Sequence, residues 1–259
     1  MILYKYRDFT KESKSRTLEI LNDQELYFSS INSFNDPFDG KVHLRFDGKL
    51  NEIKAAQIRT QYTMKLRKEN KFEGAKMEDI KLLVDGKFTD EYINNQKERN
   101  NIASRIQSMH NKKGVLSLSS KCDNILMWSH YTYNHSGVCF GFDFSDDIEY
   151  SQAKKVRYQT HYDDIWAWLH TDEEIVNRIL YSKAINWQYE DEYRIVKNIP
   201  GTVKFKPESL TQLIFGSKMK VEDKIEIITA CEDNNLKPKF RQALIDVESY
   251  KLNIIDYKI

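Results

Sequence analysis

"HSGVCFGFDFS", residues 135–145, alternates more cleanly than any other stretch of the chain. Val138, Phe140, Phe142 and Phe144 fall on one face of a strand of period two, and Cys139, Gly141 and Asp143 fall on the other. The large side chains face a core. Cys139 and Gly141 leave room for something packed closely against the opposite face.

Shorter segments repeat the pattern on both sides of this strand. "MILYKYR" sets Ile2, Tyr4 and Tyr6 against Leu3, Lys5 and Arg7, and "ELYFSS" follows as a second strand. In "GVLSLSS", Leu116 and Leu118 point one way and Val115, Ser117 and Ser119 the other. "AKKVRYQ", "LTQLIFGS" and "KLNIIDYKI" are further strands. Helices are expected over "SRTLEILNDQ", over "NILMWSHYTY" as a short helix or turn, and over "VEDKIEIITACEDNN". Another starts at Thr171, which with Glu174 has capping-box spacing ahead of the stripe Ile175, Val176, Ile179 and Leu180.

Strands dispersed along the chain and joined by helices predict one α+β domain over residues 1–259, with a mixed, mostly antiparallel sheet core. Residues 50–113 differ in texture. They are rich in Lys, Glu, Asn and Gln, with Ile53, Ala56, Ile58, Ile80, Leu82 and Leu83 at helical intervals, and are expected to form a helical insertion. The turn cluster "INSFNDPFDG" precedes them. There Asn35, Asp36 and Asp39 lack the regular ligand ladder of a calcium loop.

Composition narrows the function classes. Lys+Arg 40 against Asp+Glu 39 leaves a net charge of +1, without the global basic excess of a nucleic-acid-binding surface. The three cysteines, Cys122, Cys139 and Cys231, form no CxxC, no disulfide framework and no zinc spacing, so no metal is expected. "MILYKYRDFT" lacks a signal-peptide pattern, and no run approaches the roughly 20 apolar residues of a membrane span. A cytoplasmic location without membrane association is the expectation.

Candidate chemistry concentrates in "NWQYEDEYRIVK", residues 186–197. A strand starting near Gln188 would put Glu190, Glu192 and Arg194 on one face. Two carboxylates about 7 Å apart along a strand can separate their pKa values, and one can then stabilise a developing cation. The structural alternative is a Glu–Arg ion pair at a sheet edge, worth little. Ser117 and Ser119 form a second pair on one strand face, and Arg7 ends the first strand with a fork of donors suited to phosphate. A rival pair, His130 and His135, could serve as general acid and base in a metal-independent ribonuclease, although a spacing of five does not align them on one helix face.

The order Arg7, Ser117-Leu118-Ser119, Glu190-Asp191-Glu192 resembles the Arg, Ser-x-Ser, Glu-x-Glu layout of ADP-ribosyltransferases. The resemblance implies NAD as substrate. Glu192 would hold the ribose hydroxyl and stabilise the oxocarbenium-like transition state, and Glu190 would position the ribose or a macromolecular acceptor. Arg7, with Tyr6 beside it, would bind the cofactor phosphates. Ser117 and Ser119 would support the nicotinamide pocket, where Trp128 or Tyr131 would stack, with His130 lining the same pocket. Two departures stand out: Leu118 replaces the usual Thr, and Arg7 lies far from Ser117 in sequence.

A resemblance over more of the chain joins "LYKYRDF", "ELYFSSINSFNDPFDG", "GVLSLSSKCDNILMWSHYTYNHSGVCFGFDF", "KVRYQ" and "NWQYEDEYRIVK". In this order they resemble the motifs of a bacterial family, domain of unknown function 2971. Residues 50–113 lie outside that match. An NAD-consuming transferase or glycohydrolase acting in bacterial defence is one expectation. The His130/His135 ribonuclease and a non-catalytic module binding a nucleotide or a partner are the others.

Overall fold

The computed structural model describes residues 1–41, 43–45, 96–167 and 170–258, and positions 60, 63, 64, 67, 76 and 78. In chain order its strands are β1 (Ile2–Arg7), β2 (Glu25–Ser30), β3 (His43–Arg45), β4 (Gly114–Ser119), β5 (Val138–Asp143), β6 (Lys154–Lys155) and β7 (Arg157–Gln159). They continue with β8 (Asp164–Trp166), β9 (Ser182–Ala184), β10 (Glu192–Lys197), β11 (Gly201–Lys204), β12 (Leu210–Phe215), β13 (Lys239–Ile245) and β14 (Leu252–Asp256). The helices are α1 (Lys14–Asn22), α2 (Gln96–Asn111), α3 (Ile125–Tyr131), α4 (Asp172–Leu180) and α5 (Val221–Asp233).

The chain divides into two compact units. The first comprises Met1–Asn35, Lys112–Gln159 and Lys183–Ile259; the second comprises Asp36–Asn111 and Thr160–Ser182. The first unit holds a sheet ordered β11-β2-β4-β1-β5-β12-β13-β14, with β10 on β4 and β6 on β10. Its pairings are antiparallel except β12 with β13, so the α+β class with a mixed, mostly antiparallel sheet holds.

The alternation of β5 does what its side chains require. Val138, Phe140, Phe142 and Phe144 enter one core with Leu3, Leu116, Leu118 and Leu213. Cys139 enters a smaller cluster on the other face with Tyr6, Trp128 and Ile214. Gly141 is needed there, because a Cβ would stand 2.5 Å from Gln212 Cγ and 3.1 Å from a Tyr4 ring carbon. β5 pairs along its whole length with β1 and from Val138 to Phe142 with β12, where the register shifts between Leu210 and Gln212, which makes it a central strand.

The site depends on how β4 is shared. β10 pairs with β4 from Gly114 to Ser119 along one edge. The other edge is divided: β2 bridges Gly114 and Val115, and β1 bridges Ser119 alone. Between those bridges β1 and β2 part, and a cleft opens over Ser117.

Two sequence expectations need correction. Glu190 is not on the strand. Residues Ile185–Glu190 form a 3-10 turn, Asp191 is left-handed at φ 43°, and β10 begins at Glu192. Nor is β10 an edge strand, since β6 pairs with it at Tyr193 and Arg194 opposite β4. β11 and β13 were not apparent in the sequence. β13 ("KFRQALI") interrupts its apolar alternation with Arg241 and Gln242, which answer partners in the sheet rather than a core.

In the second unit β3 and β8 pair in parallel, and α2 packs on α4. Thr171 accepts from Glu174 N–H while Glu174 accepts from Thr171 N–H, the expected reciprocal cap. Ile175, Val176, Ile179 and Leu180 are buried as a stripe. Of the insertion expected over 50–113, α2 and the end of the segment are described; Ile53, Ala56, Ile58, Ile80, Leu82 and Leu83 lie outside the described residues.

Candidate functional site

The cleft in the first unit has a volume of about 410 Å³. Its floor is Ser117, Leu118 and Ser119 of β4, its walls Tyr4, Lys5 and Tyr6 of β1 and Phe34–Asn35 beyond β2, and α3 contributes Met127, His130 and Tyr131. Lys183, Glu190 and Glu192 close the far side.

The two glutamates meet through a lysine. Lys183 Nζ donates to Glu190 Oε2 at 2.5 Å and to Glu192 Oε2 at 3.0 Å, and all three side chains are under one-tenth exposed. Arg194, fully buried, donates from Nε to Glu192 Oε1 at 2.7 Å and from Nη2 to Oε2 at 3.1 Å. The Tyr131 hydroxyl donates to Glu190 Oε1 at 2.5 Å. The left-handed Asp191 explains how Glu190 reaches this cluster from outside the strand: the reversal at Asp191 folds the 3-10 turn back over Ser119, whose hydroxyl donates to the Glu190 carbonyl at 2.6 Å.

Environment drives the two carboxyls apart. Burial raises both, but at Glu192 the charges of Arg194 and Lys183 and a hydrogen bond from Ser117 outweigh it and hold the group down at about 2. At Glu190 burial wins over Lys183 and Tyr131, with the Glu192 charge adding to it, so its pKa is raised. Lys183 stays charged: burial pulls it down, yet Glu192 and Glu190 bring its pKa above the ordinary value. One carboxylate fixed as an anion beside one inclined to take a proton is the usual arrangement for acid–base work at a single site.

The other candidates separate. Ser117 lines the cleft and donates to Glu192; Ser119 is buried and joins β4 to the Glu190 turn. Tyr6 lines the cleft, but its hydroxyl donates to the Lys121 carbonyl at 2.8 Å and its ring meets Trp128 edge-on at 5.3 Å. Trp128 itself is fully buried, its indole N–H donating to the Cys122 carbonyl, so it presents no stacking face to the cleft. Tyr131 does line it, as does His130, whose Nδ1 lies 3.1 Å from the Tyr189 hydroxyl. His135 is not among the lining residues. Arg7 lines a neighbouring cavity of about 660 Å³.

Lys183 and Lys5 were missed in the sequence. Lys183 lies nine residues before Glu192 in "YSKAINW", and neither spacing nor alternation ties it to an acid; only the turn between them does. Among the described residues no three His, Cys, Asp or Glu side chains gather as a metal-holding group.

Residues 127–195 match the model of a family described as "Protein of unknown function (DUF2971)". Over that segment the chain is similar to the DUF2971 family. The matched stretch carries the lining residues Met127, His130, Tyr131, Lys183, Glu190 and Glu192, with Arg194 behind Glu192, while β1, with Lys5, and β4 lie before it. Neither the curated proteins nor the solved structures gave a match. No helix among the described residues is long and apolar enough to cross a membrane.

Proposed function

We propose that the cleft binds a nucleotide of the NAD type and breaks its nicotinamide–ribose bond, as a glycohydrolase or as a transferase to a second acceptor. The observation that carries this reading is the Glu190–Lys183–Glu192 cluster, two buried carboxyls whose acidities are driven apart.

When the C1–N bond breaks, its electron pair leaves with nicotinamide and positive charge develops on the ribosyl ring. The ionised Glu192, held in place by Arg194, supplies a fixed counter-charge of the kind that is strong in a water-poor site. Glu190 is suited to hold a ribose hydroxyl or to take the proton of the incoming water or acceptor. Tyr131 and Phe34 offer rings at the cleft wall.

The test is nicotinamide release from NAD. Glu190→Gln is the variant to make first, because Glu192→Gln would leave Arg194 buried without its carboxylate. Loss of a general acid or base costs on the order of 10²–10⁴-fold. Wild-type protein that releases no nicotinamide, or Glu190→Gln that releases it at the wild-type rate, removes the proposal.

One observation favours a second reading, a nucleotide-binding module without turnover. All four carboxylate oxygens already accept from protein donors, so the cluster is satisfied as it stands. That reading expects NAD to raise the melting temperature while no product forms.

A further inference from the structure

Two lysines reach the same cleft in opposite surroundings. Lys183 lies between two carboxylates. Lys5, from β1, enters the gap where β1 and β2 part, and its Nζ donates at 2.9 Å to the Ser117 carbonyl, a neutral acceptor. Lys5, Ser29 and Ser33 line the 410 Å³ cleft and also the 660 Å³ cavity, so Lys5 stands where the two spaces meet. Arg7 and Arg16 line the second space, and Arg7 Nε is buried there without a hydrogen-bond partner.

From this placement we propose that Lys5 is a carbonyl-capturing amine, condensing with an aldehyde or open-chain sugar whose phosphate sits beside Arg7. The nitrogen lone pair attacks the carbonyl carbon and a carbinolamine forms. Loss of its oxygen with the two amine protons, as one water molecule, leaves the C=N bond. Glu190, which lines the same cleft, can carry a proton to the departing oxygen. No oxidant or reductant is involved.

The amine is suited to the step. Burial, and then the Arg7 charge, bring Lys5 down to about 8, while Glu192 and Glu190 pull the other way. Near pH 7.5 that makes its neutral fraction roughly two hundredfold that of an ordinary lysine. The inference goes beyond turnover of NAD and stands whether or not nicotinamide is released.

The experiment treats the full chain with pyridoxal phosphate or with pyridoxal, reduces any imine with borohydride, and maps the adducts by peptide mass. In wild-type protein Lys5 should be labelled before the surface lysines, and Lys5→Arg should lose that adduct. Arg7→Gln, which also removes a charge that lowers the Lys5 pKa, should slow labelling by both probes but slow the phosphate-bearing one at least severalfold more than pyridoxal. Adducts spread evenly over the surface lysines of the wild type overturn the proposal without recourse to any variant. Equal effects of Arg7→Gln on both probes overturn the assignment of the phosphate.

Discussion

Arg194 grips Glu192 two residues earlier on the same strand, with Nε at 2.7 Å and Nη2 at 3.1 Å from its two oxygens. Such a pair on a sheet edge would be worth little. Here both side chains are buried, 3% and 0% exposed, and the arithmetic changes. Removing one partner of a buried pair leaves the other without compensation.

Glu192→Gln is therefore expected to lower stability by about 3–5 kcal/mol. Glu192→Gln combined with Arg194→Met should recover part of that loss, because the stranded charge is gone. Urea unfolding of the three proteins checks this. A Glu192→Gln midpoint equal to wild type would mean that the pair contributes nothing.

The same carboxylate sets an acid limit. Its folded pKa, about 2, lies below the ordinary glutamate value of about 4.3. Stability from this depression is present above about pH 4.3 and is lost as pH falls towards 2, a loss of about 3 kcal/mol. Unfolding free energies measured across that window should fall less steeply in the Glu192→Gln, Arg194→Met protein than in wild type.

His110 gives the second unit a separate pH dependence. It is buried, its Nε2 has no hydrogen-bond partner, and burial lowers its pKa. The unfolded chain takes up the proton first, so stability is lost as pH falls below about 6.5 through the lower folded value. His110→Phe should flatten that part of the profile, measured as melting temperature against pH.

Gly137 precedes β5 where β1 ends. A Cβ on it would overlap the Arg7 carbonyl oxygen and approach Asp8 Cα at 3.0 Å, and both obstacles are backbone. Gly137→Ala should cost about 1–3 kcal/mol. Chemical denaturation reads it directly, and a neutral result would show that the Arg7–Asp8 backbone yields.

At the start of α4, Thr171→Ala removes the hydroxyl that accepts from Glu174 N–H. The expected loss is about 1 kcal/mol, with no effect on nicotinamide release. Thermal unfolding and the NAD assay together separate this helix end from the cleft.

Much of the framework was legible because local pattern and burial agree. The period of β5 placed Val138, Phe140 and Phe142 in a core, and the Thr171–Glu174 spacing announced a helix start that needs only its own residues. β13 was hidden because Arg241 and Gln242 are explained by partners far away in sequence. Glu190 was assigned to the strand because period two is the default for "QYEDEYR"; the left-handed Asp191 that breaks it carries no glycine to signal it.

Sequence alone thus determined the α+β character and the strand at Val138–Asp143, which follow from short-range periodicity, and drew attention to Glu190, Glu192, Ser117 and Ser119 by their spacing and order. Only tertiary structure decided that β1 and β2 part along β4, that Lys183 joins the two glutamates, that Trp128 is buried, and that Lys5 stands where two cavities meet. The parting of the strands and the placing of Lys5 come from pairings of residues more than a hundred positions apart, and the Lys183 contacts come from a turn that local pattern does not announce. A charge's local neighbours state its sign, but burial and distant partners fix how strongly it is held.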